Sequence, residues 1–311
     1  MNPDRSNPSS NPRSNPDLAN LAWQSKLVLL LVLPYTATSA VFQSHEWTST
    51  DPNVVIWTLG LSVLLGLVAW KTHSATAAAA ATGAIMAASV IFSTLVYPYH
   101  PWQTGLIPLV AVLLLTSLAT RFGSRRKERL GTAEKRMGRG AAQVAANLGM
   151  AALLFEPSVR SMIIDTHWLS RSGMASAAIL VLGLAALAEA AADTVSSEIG
   201  QVLGGQPRMI TSLRKVDAGT DGAISLAGTL AGALAAGLVA SVGMWALRGG
   251  WSMLIASWAG GVFGLVFDSL LGATFERRGW LNNDAVNFLS TIGAAAFALG
   301  LLAVMSHPGV G

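Results

Sequence analysis

The segment Met174–Gly200, MASAAILVLGLAALAEAAADTVSSEIG, carries no ionisable residue until Glu189 and then gathers Glu189, Asp193, Ser196, Ser197 and Glu198. An apolar run of this length reads as a helix crossing roughly 30 Å of hydrocarbon, where lipid offers the backbone no hydrogen-bond partners. With Met174–Val195 as the core of that span, similar runs recur at Leu27–Phe42, Val54–Trp70, Ala75–Val96, Leu106–Thr120 and Ala141–Phe155. Three more follow at Ala223–Leu247, Trp251–Phe275 and Ala285–Met305. The expected fold is an all-α, polytopic transmembrane helix bundle of about nine spans. The fifth, Ala141–Phe155, is short, to be completed by Gly138 and Arg139 or else re-entrant, and its loss would invert everything downstream.

Composition agrees. Hydrophobic residues make up 52% of the chain and charged residues 12%, with a mean hydropathy of +0.51, which no soluble domain of 311 residues matches. A β-barrel would show short alternating strands instead. The absence of cysteine excludes thiolate catalysis, disulfides and Cys-ligated metals. A pI near 9.8 invites a nucleic-acid partner, but the excess cations lie in loops between spans, where the positive-inside rule accounts for them. No nucleic acid is expected, only membrane lipids.

Loop cations also orient the chain. Arg121, Arg125, Arg126, Lys127, Arg129, Lys135, Arg136 and Arg139 crowd the loop after the fourth span, and Arg208, Arg214, Lys215, Arg277 and Arg278 occupy later loops on the same side. The alternate loops are poorer in cations, with Arg160 and Arg171 in one and Arg248 in another. This places the N-terminus in the cytoplasm and the C-terminus outside, in a cell inner membrane. Residues 1–22, rich in Pro, Asn and Ser, read as a disordered cytoplasmic tail. Residues 23–72 form an N-terminal pair of spans, and 73–306 the main helical domain with its cytoplasmic loops.

Three segments concentrate polar chemistry at the cytoplasmic rim, where ionisable groups in or near a span are expensive. In the first, Glu189, Asp193 and Ser196 share one helical face, while Asp193 and Glu198 are about 140° apart on an unbroken helix. They converge if the helix ends near Gly200 and Gly204-Gly205, and paired carboxylates with hydroxyls suit Mg²⁺; a solvated helix end is the competing reading. The second is the loop Arg208–Gly222, with Arg214, Lys215, Asp217, Gly219, Thr220 and Asp221 before a helix start, a setting that favours phosphate. Its cations can equally be topology signals. The third joins Asp268, on the face of Gly260, Gly264 and Gly272, to Asn282, Asn283, Asp284 and Asn287. Asp284 can also serve simply as a helix cap. Glycine and serine stripes at Ser225, Gly228 and Gly232, and at Gly260, Gly264 and Gly272, read as close helix packing.

An ordered string of motifs runs through these segments: Ala192-Asp193-Thr194, Ser197-Glu198-Ile199-Gly200, Ile210-Thr211-Ser212 and Gly219-Thr220-Asp221-Gly222-Ala223-Ile224-Ser225. Gly228-Thr229-Leu230-Ala231, Asp268-Ser269-Leu270-Leu271-Gly272-Ala273-Thr274 and Leu281-Asn282-Asn283-Asp284-Ala285-Val286-Asn287 complete it. The string resembles the integral-membrane family containing plant phytyl-phosphate kinase and animal transmembrane protein 19, over about Ala75–Met305. One departure is Asp217-Ala218-Gly219-Thr220, where Pro-Arg-Gly-Thr or similar is expected. The resemblance implies a kinase that transfers a phosphoryl group from CTP to an isoprenyl monophosphate, polyprenyl or phytyl-like, giving the diphosphate with Mg²⁺. It implies Asp193, Glu198 and Asp268 as catalytic metal ligands and Lys215 as a catalytic cation, with Arg214 on phosphate. Gly219, Thr220, Asp221, Gly222, Ser225 and Thr229 would lie near the nucleotide, and Asn283, Asp284 and Asn287 would complete the wall. The competing class is a transporter or flippase of an anionic prenyl lipid, which would carry its ionisable groups near the bilayer midplane.

Overall fold

The computed structural model describes residues 21–132, 138–164 and 175–306. The expected tail before residue 21 and the cations Lys135, Arg136 and Arg171 lie outside the described residues. Eleven helices are described. They are α1 (Ala22–Thr50), α2 (Pro52–Lys71), α3 (Ala77–Ser93), α4 (Leu106–Arg121), α5 (Ser124–Leu130) and α6 (Ala141–Phe155), followed by α7 (Pro157–Ile164), α8 (Ala175–Leu203), α9 (Leu226–Ala246), α10 (Trp251–Leu271) and α11 (Asn283–Ser306). A π-helical turn, Gly272–Glu276, prolongs α10. Two-residue strands β1 (Arg208–Met209) and β2 (Ala223–Ile224) pair antiparallel at the base of the loop between α8 and α9.

Each expected span is therefore a helix, and the bundle is all-α. Length narrows the number of crossings. Among the described residues six helices are long and apolar enough to cross a membrane, or seven if α4 and α5, bent by 61°, count as one broken span. At 17 and 15 residues, α3 and α6 fall short of the roughly 20 that a full crossing needs, so length alone does not reach nine. Both start from one short pairing: Arg139 N donates to the Ser74 carbonyl at 3.2 Å, and Thr76 N donates to the Arg139 carbonyl at 3.0 Å. Gly138 permits this close approach, since its φ is +74° and a Cβ would stand 2.6 Å from the His73 carbonyl oxygen.

Local sequence fixes the helix starts. Asp51 accepts from Asn53 N ahead of Pro52, Thr76 from Ala79 N, and Ser225 from Gly228 N, each satisfying an amide that the helix leaves unpaired. Asn282, not Asp284, caps α11: its Oδ1 accepts from Ala285 N at 2.9 Å. The same residue ties α11 to α1, because its Nδ2 donates to the Leu21 carbonyl and to Ser25 Oγ.

Buried over most of its length, α8 is the axis of the bundle, packed on α4, α6, α9, α10 and α11. Small residues make this possible. A Cβ at Gly232 would lie 2.7 Å from the Ala192 carbonyl oxygen, one at Gly228 2.6 Å from that of Ser196, and one at Gly260 2.7 Å from that of Ala294. Outward faces show the opposite pattern: Leu226, Leu230, Leu234 and Leu238 form an exposed stripe on α9. Small residues inside and large aliphatic ones outside is the arrangement lipid favours, since helix association there rests on close packing. At the end of α6 away from its N-terminus, buried Glu156 receives hydrogen bonds from Ser39 of α1 and Ser89 of α3.

Candidate functional site

The N-terminal ends of α6, α9 and α11 and the C-terminal ends of α8 and α10 meet at one end of the bundle around a polar cavity of about 370 Å³. Asp193, Ser196 and Glu198 enter it from α8, and Asp268 and Glu276 from α10 and its π turn. Asn283 and Asn287 come from α11, Gln143 and Asn147 from α6, and Arg139 from the segment before α6. The Gly219–Gly222 turn and Ser225 close it from the loop side. That turn is seated directly on α10, since Gly222, with φ +74°, has Ala273 N 2.4 Å from where a Cβ would stand.

Buried hydrogen bonds order the cavity floor. Ser290 Oγ donates to Glu189 Oε1 at 2.6 Å. The amides of Asn147 and Asn287 meet at 3.0 Å. With its nitrogen turned toward α10, the Asn287 amide donates to Asp268 Oδ2 at 3.3 Å and to the Asn283 carbonyl at 3.2 Å. Asp193 lies within electrostatic range of Glu189, Glu198, Asp268, Glu276 and Arg139. In the loop, desolvation raises the Asp221 carboxyl above its ordinary value and the Arg277 guanidinium opposes the rise. Among the described residues no group of three or more His, Asp or Glu is close enough to hold a metal ion.

The structure sorts the residues singled out from sequence. Asp193, Glu198, Asp268, Gly219, Thr220, Asp221, Gly222, Ser225, Asn283 and Asn287 all line the one cavity. Arg214, Lys215, Thr229 and Asp284 are not among its lining. The side chains of Arg214 and Lys215 are exposed, on a loop closed by Met209 N donating to the Arg214 carbonyl at 2.9 Å. Helix α8 runs through Gly200 and ends at Leu203, directly before the Gly204-Gly205 pair. Gly200 instead marks where α9 crosses, with Gly228 Cα 3.5 Å from the position of a Cβ. Asp193 and Glu198 thus diverge on one continuous helix, and Glu198 Oε2 turns to Lys127 Nζ at 2.6 Å.

A profile of the family described as Integral membrane protein DUF92 matches residues 60–295. The chain belongs to this family. A similar protein, an uncharacterized membrane protein of Methanocaldococcus jannaschii, is 46% identical over 109 residues, 35% of this chain and 45% of that relative. Another of Synechocystis sp. is 31% identical over 226 residues, 68% of this chain and 78% of its own length. Protein VTE6, chloroplastic, of Arabidopsis thaliana is 30% identical over 210 residues, 66% of this chain and 60% of the relative. No solved structure matches the chain.

Several cavity residues were not singled out from sequence as part of a site. Arg139 counts there only as a loop cation, as does Lys127, the partner of Glu198, although Gly138 and Gly140 flank Arg139 directly before a helix, a pattern that signals close backbone approach. Gln143, Asn147 and Glu276 carry no signal in isolation. Glu276 is eight residues beyond Asp268 and one beyond the expected span Trp251–Phe275, so it reads as the start of a loop until the π-helical turn carries the helix through it.

Proposed function

We propose that this chain is a membrane-embedded kinase that transfers the γ-phosphoryl group of CTP to an isoprenyl monophosphate, yielding the isoprenyl diphosphate and CDP. The observation that carries the proposal is the single cavity lined by Asp193, Glu198, Asp221, Asp268 and Glu276 together with Arg139. So many carboxylates repel polyanionic substrates unless a divalent cation accompanies them. Membership of the family, with its resemblance to phytyl-phosphate kinase, supplies the substrate class. The lining residues sit at one end of the bundle, which supports an enzyme over a transporter with its site at the membrane midplane. In this reading the cavity end faces the cytoplasm, with the N-terminus on that side and the C-terminus outside.

The donor set fits Mg²⁺, which takes hard oxygen ligands, keeps several waters and is held by one or two carboxylates plus substrate phosphates. A three-carboxylate cage is unnecessary. Asp193 and Asp268 would hold it, because Glu198 is engaged by Lys127. When bound, Mg²⁺ neutralises the charge that develops on the transferring phosphoryl oxygens. The acceptor oxygen is already anionic, so the protein need not supply a base. It attacks the γ-phosphorus, the bond to the β,γ-bridging oxygen breaks, and CDP leaves with the bond electrons. What remains for the chain is positioning and charge compensation. Arg139 offers a guanidinium to phosphate, the Gly219–Gly222 turn brings backbone to the donor, and Ser290 and Asn287 hold the acidic floor in place.

The test is purified protein in detergent with Mg²⁺, CTP and a series of isoprenyl monophosphates, following diphosphate formation against ATP, GTP and UTP. Transfer to prenyl monophosphates with CTP preferred is the expected result. No transfer from any nucleotide, with folded protein, would overturn it.

A further inference from the structure

Beside the acidic cavity lies a second one of about 320 Å³, enclosed by α2, α3, α4 and α6. Its walls are small and aliphatic, including Ala69, Ala80, Gly83, Ala87, Leu109 and Val112, with no Phe, Tyr or Trp in its lining. Along α4 the lining extends from Leu109 to Arg121, about 18 Å at the helical rise of 1.5 Å per residue. The polar mouth, with His73, Ser74, Arg121 and Lys127, is at the same end of the bundle as the acidic cavity. Arg139 and Asn147 line both cavities. A long apolar slot and an acidic chamber thus share a wall made of a guanidinium and a carboxamide.

We propose that the apolar slot is the binding site for the isoprenoid tail of the acceptor, with Arg139 receiving its phosphate at the junction of the two cavities. This rests on the kinase reading above. An amphiphile with one flexible chain and an anionic head needs adjoining chambers of opposite polarity, and a cation belongs where they meet. The aliphatic wall suits a flexible chain rather than a fused-ring lipid. Because bilayer tails are as apolar as the slot, transfer from membrane to protein gains little from the hydrophobic effect. The slot therefore selects chain length by packing, while the phosphate contacts supply affinity.

Gly83 gives direct access to this idea. A Cβ there would meet Val144 Cγ1 at 3.7 Å, an ordinary van der Waals distance, so a methyl group can be added without moving backbone. The experiment uses the full chain in nanodiscs with an isoprenyl monophosphate bearing a photoreactive diazirine at the tail end, crosslinked peptides being mapped by mass spectrometry. Label is expected on α3 and α4 between Ala79 and Ala87 and between Leu109 and Thr116, competed by unmodified prenyl monophosphate and not by the disc phospholipid. Gly83→Leu is expected to lower that labelling, and the turnover of long-chain acceptors, by about tenfold, with the loss shrinking as the prenyl chain shortens. Gly83→Ala, whose methyl the backbone accommodates, is expected to show a smaller change in the same direction. Label on the lipid-facing stripe of α9, or label removed equally by phospholipid, overturns the proposal, as does a loss in Gly83→Ala that is uniform across chain lengths. If the slot is labelled and no nucleotide supports transfer, the kinase reading fails and the tail site stands. If transfer occurs and the label maps elsewhere, the reverse holds.

Discussion

Replacing Lys127 by Met tests how the bent segment after α4 is held against the axis of the bundle. The side chain of Lys127 is 2% exposed, and its ammonium reaches Glu198 Oε2 at 2.6 Å, where the glutamate side chain is 13% exposed. It also donates to the carbonyls of Ala119 at 3.1 Å and Thr120 at 2.5 Å, the last turn of α4. Removing the cation leaves a largely buried carboxylate without its partner and takes one donor from each of two helix-end carbonyls, of which that of Ala119 still accepts from Phe122 N. Breaking a buried pair from one side costs about 3–5 kcal/mol, whereas exposed pairs are worth roughly 0–1. Lys127→Met is therefore expected to lose about 3–5 kcal/mol of stability. Glu198→Gln, which keeps an acceptor for the ammonium, should lose less. The double variant should recover part of the loss, with a coupling of about 2 kcal/mol, as expected for residues in direct contact. Reversible unfolding in mixed micelles, followed by tryptophan fluorescence, measures all four corners of this cycle. A coupling below about 0.5 kcal/mol, the scatter expected for independent sites, would refute the buried clamp and return Glu198 to the set of free carboxylates.

Asp193→Asn is expected to abolish CTP-dependent transfer while leaving expression and micellar size unchanged, measured by product formation on the purified variant; turnover near that of the parent at saturating Mg²⁺ would leave Asp193 as a structural residue. Millimolar Mg²⁺ should raise the thermal midpoint of the parent protein and CTP should raise it further, as linkage requires of ligands that bind only the folded state, and Asp268→Asn should lose most of the Mg²⁺ shift. Gly222→Ala should cost about 1–3 kcal/mol from its left-handed backbone alone. The overlap with Ala273 adds to that, seen as a lower unfolding midpoint together with a loss of nucleotide binding.

The helical core was legible because apolar runs and their breakers are local. Ala141–Phe155 appears in the structure with the bounds read from sequence, set by Gly140 on one side and Glu156 on the other. The site was legible as a set of segments and not as a geometry. Gly200 reads as a helix end, since glycine inside a helix costs about 1 kcal/mol relative to alanine, yet the helix runs through it to Leu203, and a Cβ there would press on Ser225 Oγ, the cap of α9, at 2.9 Å. Asn282 and Asp284 are both good capping residues, and which one caps depends on the contacts of Asn282 with Leu21 and Ser25 more than 250 residues away in sequence. Lys127 and Arg139 read as topology signals because the positive-inside rule needs no tertiary structure. Only the fold turns one toward Glu198 and the other into the cavity wall.

Glu189 lies fully inside the protein, and the hydroxyl that donates to it, on Ser290, follows 101 residues later. At a synthesis rate of about 5–20 residues per second, that separation amounts to roughly 5–20 s during which the growing chain holds an acidic α8 without its partner. Biogenesis must shelter this helix at the insertion machinery until α10 and α11 arrive. Truncation just before α11 should therefore leave a nascent protein that quality-control proteases recognise, even though every earlier helix has been made.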